Sequence, residues 1–413
     1  MTMSADPFAA PRAANGRAPD VFKRGGWMPM RQFSDAEIVD FAVVGTGAGG
    51  GPLLAGLAEN GFSVVGFDAG PYFRPLEDFA SDEREQDKLY WTNERVVDGA
   101  NPITMGGKNS GRAVGGSAEI RDLAMVSRIE MGSDGRATGV HYHREGRWRF
   151  QKARNVVVAG YAIETPRLLF ASATDRFPDG LANSSGLVGK NLMTQSNQAV
   201  FGVMEQEVRW NKGPPSLSIT EHWNYDDRKD FAGGYCWMAQ GPLPVEWATV
   251  QTGSRGLWGQ RLRDEMEKYN HQVGLKMVGE MLPDERNRVT LADDKDQYGL
   301  RVARVTYSWG DNDKALIQHA LGQMQTSLEA VGATDIFRQE NDTNHLAGTA
   351  RMGDDPATSV VNADCHSWDI PNLWVCDGSV FPTTGGVNPS LTITSIAMRT
   401  ADRIHALSAR GEL

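Results

Sequence analysis

IVDFAVVGTGAGGGPLLAGLAENGFSVVGFD, residues 38–68, decides how the rest of the chain is read. Ile38 to Val44 is a short apolar run with β-branched residues, which predicts a strand. It runs straight into Gly45-Thr-Gly47-Ala-Gly49-Gly50. Pro52 to Asn60 then reads as helix, and Phe62 to Phe67 as a second strand ending at Asp68. A Gly-x-Gly-x-x-Gly is a weak signal alone. A strand before it, a helix after it and an acid about twenty residues on make it a dinucleotide-binding fingerprint. The glycines permit a tight turn and close backbone approach, so that a pyrophosphate can sit on the helix N-terminus. Asp68 stands where a carboxylate accepts from an adenosine ribose hydroxyl. The expected fold is therefore α/β, with a Rossmann-like sheet. A glycine-rich turn without a ligand is the competing reading, and the fingerprint leaves NAD and FAD open.

A second cluster, Gly111-Arg-Ala-Val-Gly115-Gly116-Ser117, favours FAD. A flavin dinucleotide runs deep into its protein and needs further points of backbone approach. By itself this cluster also fits an ordinary turn.

The chain of 413 residues, 40 % hydrophobic, can bury a large core. Its net charge of -10 is spread without a basic stripe, which argues against a nucleic-acid or anionic-membrane partner. Cys236, Cys365 and Cys376 are far apart and make neither a disulfide framework nor a metal spacing; no metal is expected. No apolar run approaches the eighteen or so residues of a membrane span. Residues 1–35 read as a flexible segment with no apolar signal core, and Lys23-Arg24 is not a twin-arginine signal. The expected location is the cytoplasm, with co-export alongside a signal-bearing partner as the alternative.

Further along lie VVVAGYAIETPRLLFAS (156–172), LVGKNLMTQ (187–195), HLAGTARMG (345–353) and NLWVCDGSVFPTTGGVNPSLTITSIAMRTADRI (372–404). With the two glycine clusters, and in this order, they resemble the glucose-methanol-choline (GMC) oxidoreductases. PYFRPLEDF (71–79) and the closing block look most like the FAD subunits of gluconate, fructose and sorbitol dehydrogenases. The resemblance implies a Rossmann-like FAD-binding domain and a smaller antiparallel-sheet substrate domain, α+β overall. The FAD domain would be discontinuous, 36–196 and 344–413, and the substrate domain 197–343. In that segment, 286–309 alternates around a turn as a strand pair, and Ala315 to Val331 reads as helix.

The family oxidises an alcohol by passing hydride from its carbon to flavin N5 while a base takes the hydroxyl proton. The resemblance puts the base at His345, in a His-x-x-Gly-Thr phrase, and its partner at Asn388. Histidine suits the role because its ordinary pKa lies near neutrality. Asn388-Pro389 also fits simple helix capping, with proline at the first helical position. The resemblance further implies cofactor contacts at Val126 (adenine), at Asp377 (ribityl and phosphate region) and at Gly160, Gly378 and Ser390. The implied partners are a small alcohol or sugar substrate and an electron-acceptor subunit or cytochrome. Trp210, Trp223, Trp237, Trp247 and Trp258 could stack on a sugar ring, though core packing fits them as well.

One departure stands out. The family has well over a hundred residues between its Val-Gly-Gly-Ser cluster and the adenine-contact strand, whereas this chain passes from Ser117 to Met125 almost at once. The short connection must be extended, without an intervening helix. Two readings follow: an FAD-dependent dehydrogenase of a sugar, polyol or sugar acid, or a shortened, catalytically weak FAD-binding protein that acts as an assembly partner.

Overall fold

The computed structural model describes residues 32–73, 75–79, 83–91, 95–103, 111–113, 119–212, 218–225, 230–340 and 343–413. Val39–Val44 lies between Val64–Phe67 and Arg147–Val158 and is parallel to both. Glu119–Arg121 extends the sheet beyond Val64–Phe67, and Leu373–Val375 extends it beyond Arg147–Val158, again in parallel. These strands are near-continuous apolar runs because both faces of a parallel sheet are covered. The helices Gly50–Glu59 and Ser390–Ala409 pack on each other on one side. Gly56 allows this closeness, since a Cβ there would stand 3.0 Å from that of Ala401.

Arg147–Val158 is long enough to serve two sheets. Its first half pairs antiparallel with Ala137–Arg144, which pairs with Met125–Met131. Its second half joins the parallel strands through Val156, Val157 and Val158. Of the connection expected to be extended, residues 114–118 lie outside the described residues, Glu119–Arg121 is a sheet-edge strand, and Asp122 and Leu123 then form a turn, with Leu123 at φ of 50°; no helix intervenes among the described residues.

A second sheet is antiparallel throughout. It contains Ile219–Thr220, Tyr235–Ala239, Gln272–Gly279, Met193–Ser196, Thr343–Ala347, Ala199–Val203 and Thr334–Gln339. Helix Asp311–Ala330 lies against it, burying Leu316, Ile317, Ala320, Leu321, Met324 and Leu328 at helical spacing. That helix starts earlier than Ala315 because Asp313 accepts from the Gly310 N–H at 2.9 Å and fixes the first turn. The strands Arg288–Lys295 and Arg301–Thr306 pair as read from sequence. They belong, however, to a separate three-stranded sheet with Val96–Asp98, not to the large antiparallel one.

Candidate active site

The five parallel strands run the same way and end at one edge, and the glycine turn lies there. Gly45 has φ of 94°, and a Cβ on it would stand 2.2 Å from the Ala159 carbonyl oxygen. A Cβ on Gly49 would meet the Cys376 oxygen at 2.1 Å, and one on Gly50 the Gly45 oxygen at 1.9 Å. Gly47 differs: a Cβ there meets no described atom within 4 Å. Gly45, Gly49 and Gly50 are thus required by the chain's own packing, while Gly47 is exposed, with open space beside it near the N-terminus of Gly50–Glu59. That division fits a dinucleotide pyrophosphate on the helix end.

Asp68 braces this turn. One carboxylate oxygen accepts from the Thr46 N–H at 3.1 Å and the Thr46 hydroxyl at 2.7 Å, the other from the Gly70 N–H at 2.8 Å. Three of its roughly four lone-pair directions are engaged, which leaves one for a ribose hydroxyl. Burial pushes its carboxyl above the ordinary range although these donors pull the other way.

Asp377 does the same at the end of Leu373–Val375. Its carboxylate accepts from the Tyr161 N–H at 2.8 Å, the Thr165 hydroxyl at 2.6 Å and the Ser379 N–H at 2.7 Å. It ties the start of helix Tyr161–Ala171, where Tyr161 has φ of 59°, to the strand end. Burial raises its carboxyl as well. Gly160 donates to the Thr165 hydroxyl at 3.0 Å beside it. Val126 is buried in the core under the parallel sheet, and Ser390 opens helix Ser390–Ala409 on its exposed side. Gly115, Gly116 and Ser117 lie outside the described residues.

His345 reaches this edge through the second sheet. Thr343–Ala347 pairs with Met193–Ser196, and the register shifts between Asn344 and Leu346, so that His345 is the bulged residue with φ of 54°. A bulge re-aims one side chain without ending the strand. The Asn344 side chain accepts from the His345 N–H at 2.9 Å and holds the bulge. The following Gly-Thr locks the phrase in place. The Gly348 N–H donates to the Gly378 oxygen at 3.0 Å, and the Thr349 hydroxyl donates to the Ala162 oxygen at 2.9 Å.

Asn388 comes to His345 from the other side: its Nδ2 lies 3.4 Å from His345 Nε2. Pro389 is the N-cap residue of Ser390–Ala409, and among the described residues no side chain caps this helix, so Asn388 is left to face His345. Burial, and then the charge of Lys276, lower the His345 pKa to about 4. His345 is therefore neutral at neutral pH.

Gln195, within LVGKNLMTQ, is a site residue that the sequence reading does not single out. Fully buried, its Oε1 stands 2.7 Å from His345 Nδ1. The available signal was the polar run Thr194 to Gln198 between the apolar residues Leu192, Met193, Ala199 and Val200. The tryptophans mostly pack on the protein itself. Trp247 is buried with Phe201, Trp210, Tyr269 and Phe337, and Trp223 stacks on Tyr235 beside Trp237, while Trp258 is 80 % exposed.

Among the described residues, no group of histidine, cysteine or acidic side chains has a metal-holding arrangement, and no helix is long and apolar enough to cross a membrane. The GMC oxidoreductase family is matched in two parts, residues 111–197 and residues 283–397. A 2-methyl-1,2-propanediol dehydrogenase of Mycolicibacterium austroafricanum is 36% identical over 309 residues, 71% of this chain and 55% of the relative. The fructose dehydrogenase large subunit of Gluconobacter japonicus is 31% identical over 296 residues, 70% of this chain and 54% of the relative. The chain thus spans about half the length of the curated relatives it matches. The formate oxidase of Aspergillus oryzae shares the fold, with a TM-score of 0.69 at 14% identity over 91% of this chain and 99% of that one. With both family segments matched in order and the strand-end site built from the same phrases, the chain belongs to the GMC oxidoreductase family.

Proposed function

We propose that this chain binds FAD along the glycine cradle and oxidises an alcohol group of a sugar, a polyol or a sugar acid. The observation that carries the reading is the facing pair of His345 Nε2 and Asn388 Nδ2, tied to the cradle's strand ends through Gly348 and Gly378. The names of the two relatives, a diol dehydrogenase and a fructose dehydrogenase subunit, support the substrate class.

FAD, when bound, supplies a two-electron hydride acceptor. Gly47 admits the pyrophosphate to the backbone, and Asp68 offers its remaining lone pair to a ribose hydroxyl. His345, held neutral by burial, takes the hydroxyl proton of the substrate on Nε2. Asn388 Nδ2 donates a hydrogen bond to the substrate oxygen as negative charge grows there, without competing for the proton. The N-terminus of Ser390–Ala409, next to Asn388, adds partial positive charge of the same sense. The electron acceptor we propose is a partner subunit or a cytochrome, on the likeness to a large subunit.

One observation favours a second reading. The direct passage from Ser117 to Met125, where the family has well over a hundred residues, suits a shortened FAD-binding assembly partner of weak activity. The test is anaerobic addition of gluconate, sorbitol, fructose and glucose in turn to the purified holoprotein, followed by visible absorbance. Bleaching by one of them, slowed about 10²–10⁴-fold in His345→Ala with flavin still bound, is expected for the first reading. Bound flavin that none of them reduces supports the second, and equal bleaching in His345→Ala removes the role given to that residue.

A further inference from the structure

Gln195 sits where its orientation leaves no choice. Its Nε2 lies 2.8 Å from the Gly385 oxygen, 2.8 Å from the Val387 oxygen and 3.3 Å from the Thr384 oxygen. Backbone carbonyl oxygens only accept, so the amide nitrogen must face them. A flipped amide would press its own oxygen against these acceptors inside a buried pocket. The Gln195 oxygen is therefore the atom 2.7 Å from His345 Nδ1, and it too can only accept. Nδ1 must carry the hydrogen. In the neutral ring this leaves Nε2 with its lone pair, facing the Asn388 amide.

We propose that Gln195 is a positioning residue that fixes His345 as the Nδ1–H tautomer and holds the Asn388 loop against it. The loop from Thr384 to Val387 contributes the three carbonyls, so one buried side chain reads the backbone on one side and sets the proton on the other. Its strand supplies the rigidity: Gln195 is paired opposite Asn344, next to the bulge that aims His345. Lys276, on strand Gln272–Gly279, is the charged group whose field reaches the ring; it disfavours the doubly protonated form without choosing between the tautomers. The kinetic consequence rests on the function proposed above, while the tautomer assignment does not.

The test is nitrogen NMR of the full-length holoprotein labelled at its histidine ring nitrogens, with His345→Gln identifying the signal among the 8 histidines. At neutral pH we expect a pyrrole-like Nδ1 and a pyridine-like Nε2 for His345. In Gln195→Met, of similar length but without donor or acceptor, the ring should shift to mainly Nε2–H. The rate of flavin reduction should fall on the order of 10–100-fold, with KM within about twofold. A proton on Nε2 in the unaltered protein overturns the proposal without any variant, and so does an unchanged Nδ1–H in Gln195→Met. A tautomer that follows Gln195, combined with reduction that ignores His345→Gln, supports the positioning and overturns the base role instead.

Discussion

The glycine cradle and the His345–Asn388 pair lie at the same sheet edge, yet they are built by opposite means. The cradle's turn comes from one stretch, residues 45 to 68, and is held mainly by close backbone packing, in part against Ala159 and Cys376, with the Asp68 carboxylate bracing it. A Cβ on Gly45, Gly49 or Gly50 would come within about 2 Å of a carbonyl oxygen. The His345–Asn388 pair and its support come from three distant segments, at Gln195, His345 and Asn388, and are held by side-chain hydrogen bonds and one strand bulge. A steric fit of backbones tolerates almost no change. A hydrogen-bonded constellation tolerates shape changes but depends on which atom carries which proton.

Gly45→Ala should break the first half of this contrast most severely. Positive φ and contact with the Ala159 oxygen together should cost about 3–5 kcal/mol of stability, read as a large fall in Tm. A melting curve like that of the unaltered protein would mean the turn can relax. Asn388→Ala probes the other half. The fold should be unchanged, while flavin reduction slows about 10²-fold because the substrate oxygen loses its donor. Loss of helix content instead would return Asn388 to a capping role. Gly47→Ala sharpens the contrast within the cradle itself. With no described atom within 4 Å of the new methyl, stability should stay within about 0.5 kcal/mol. FAD affinity, measured by flavin fluorescence, should fall about tenfold or more because the methyl fills the space for the pyrophosphate. Unchanged affinity would place the pyrophosphate elsewhere.

The same contrast explains what could be read from the sequence. Strand, glycine turn, helix and acid follow one another within 31 residues, so local pattern alone predicts the cradle, and the helix begins at Gly50, within two residues of the expected Pro52. The partner of His345 could not be found this way. Gln195 and His345 are 150 residues apart, and their contact depends on the pairing of two strands whose registers no local pattern specifies. Nor does spacing reveal that His345 occupies a bulge, since a bulge is a property of two strands together. The hairpin at 288–306 was legible as a strand pair, but its neighbour Val96–Asp98 comes from nearly two hundred residues earlier. Asn388 marks the intermediate case. Asn-Pro before a helix reads as a cap, and it took the position of His345 in space to show where the amide faces.

The pH dependence of anaerobic flavin reduction tests the base role of His345 most directly. Burial favours the neutral ring, so the folded protein should keep His345 unprotonated down to about pH 4, well below the ordinary 6.5. On the proposal that the neutral ring is the base, we expect a rate that is level from neutral pH down to roughly one unit above that point, then falls as Nε2 is protonated, with the fall absent in His345→Gln. A fall centred near pH 6.5, or the same profile in His345→Gln, would contradict a half-buried, neutral His345 acting as the base.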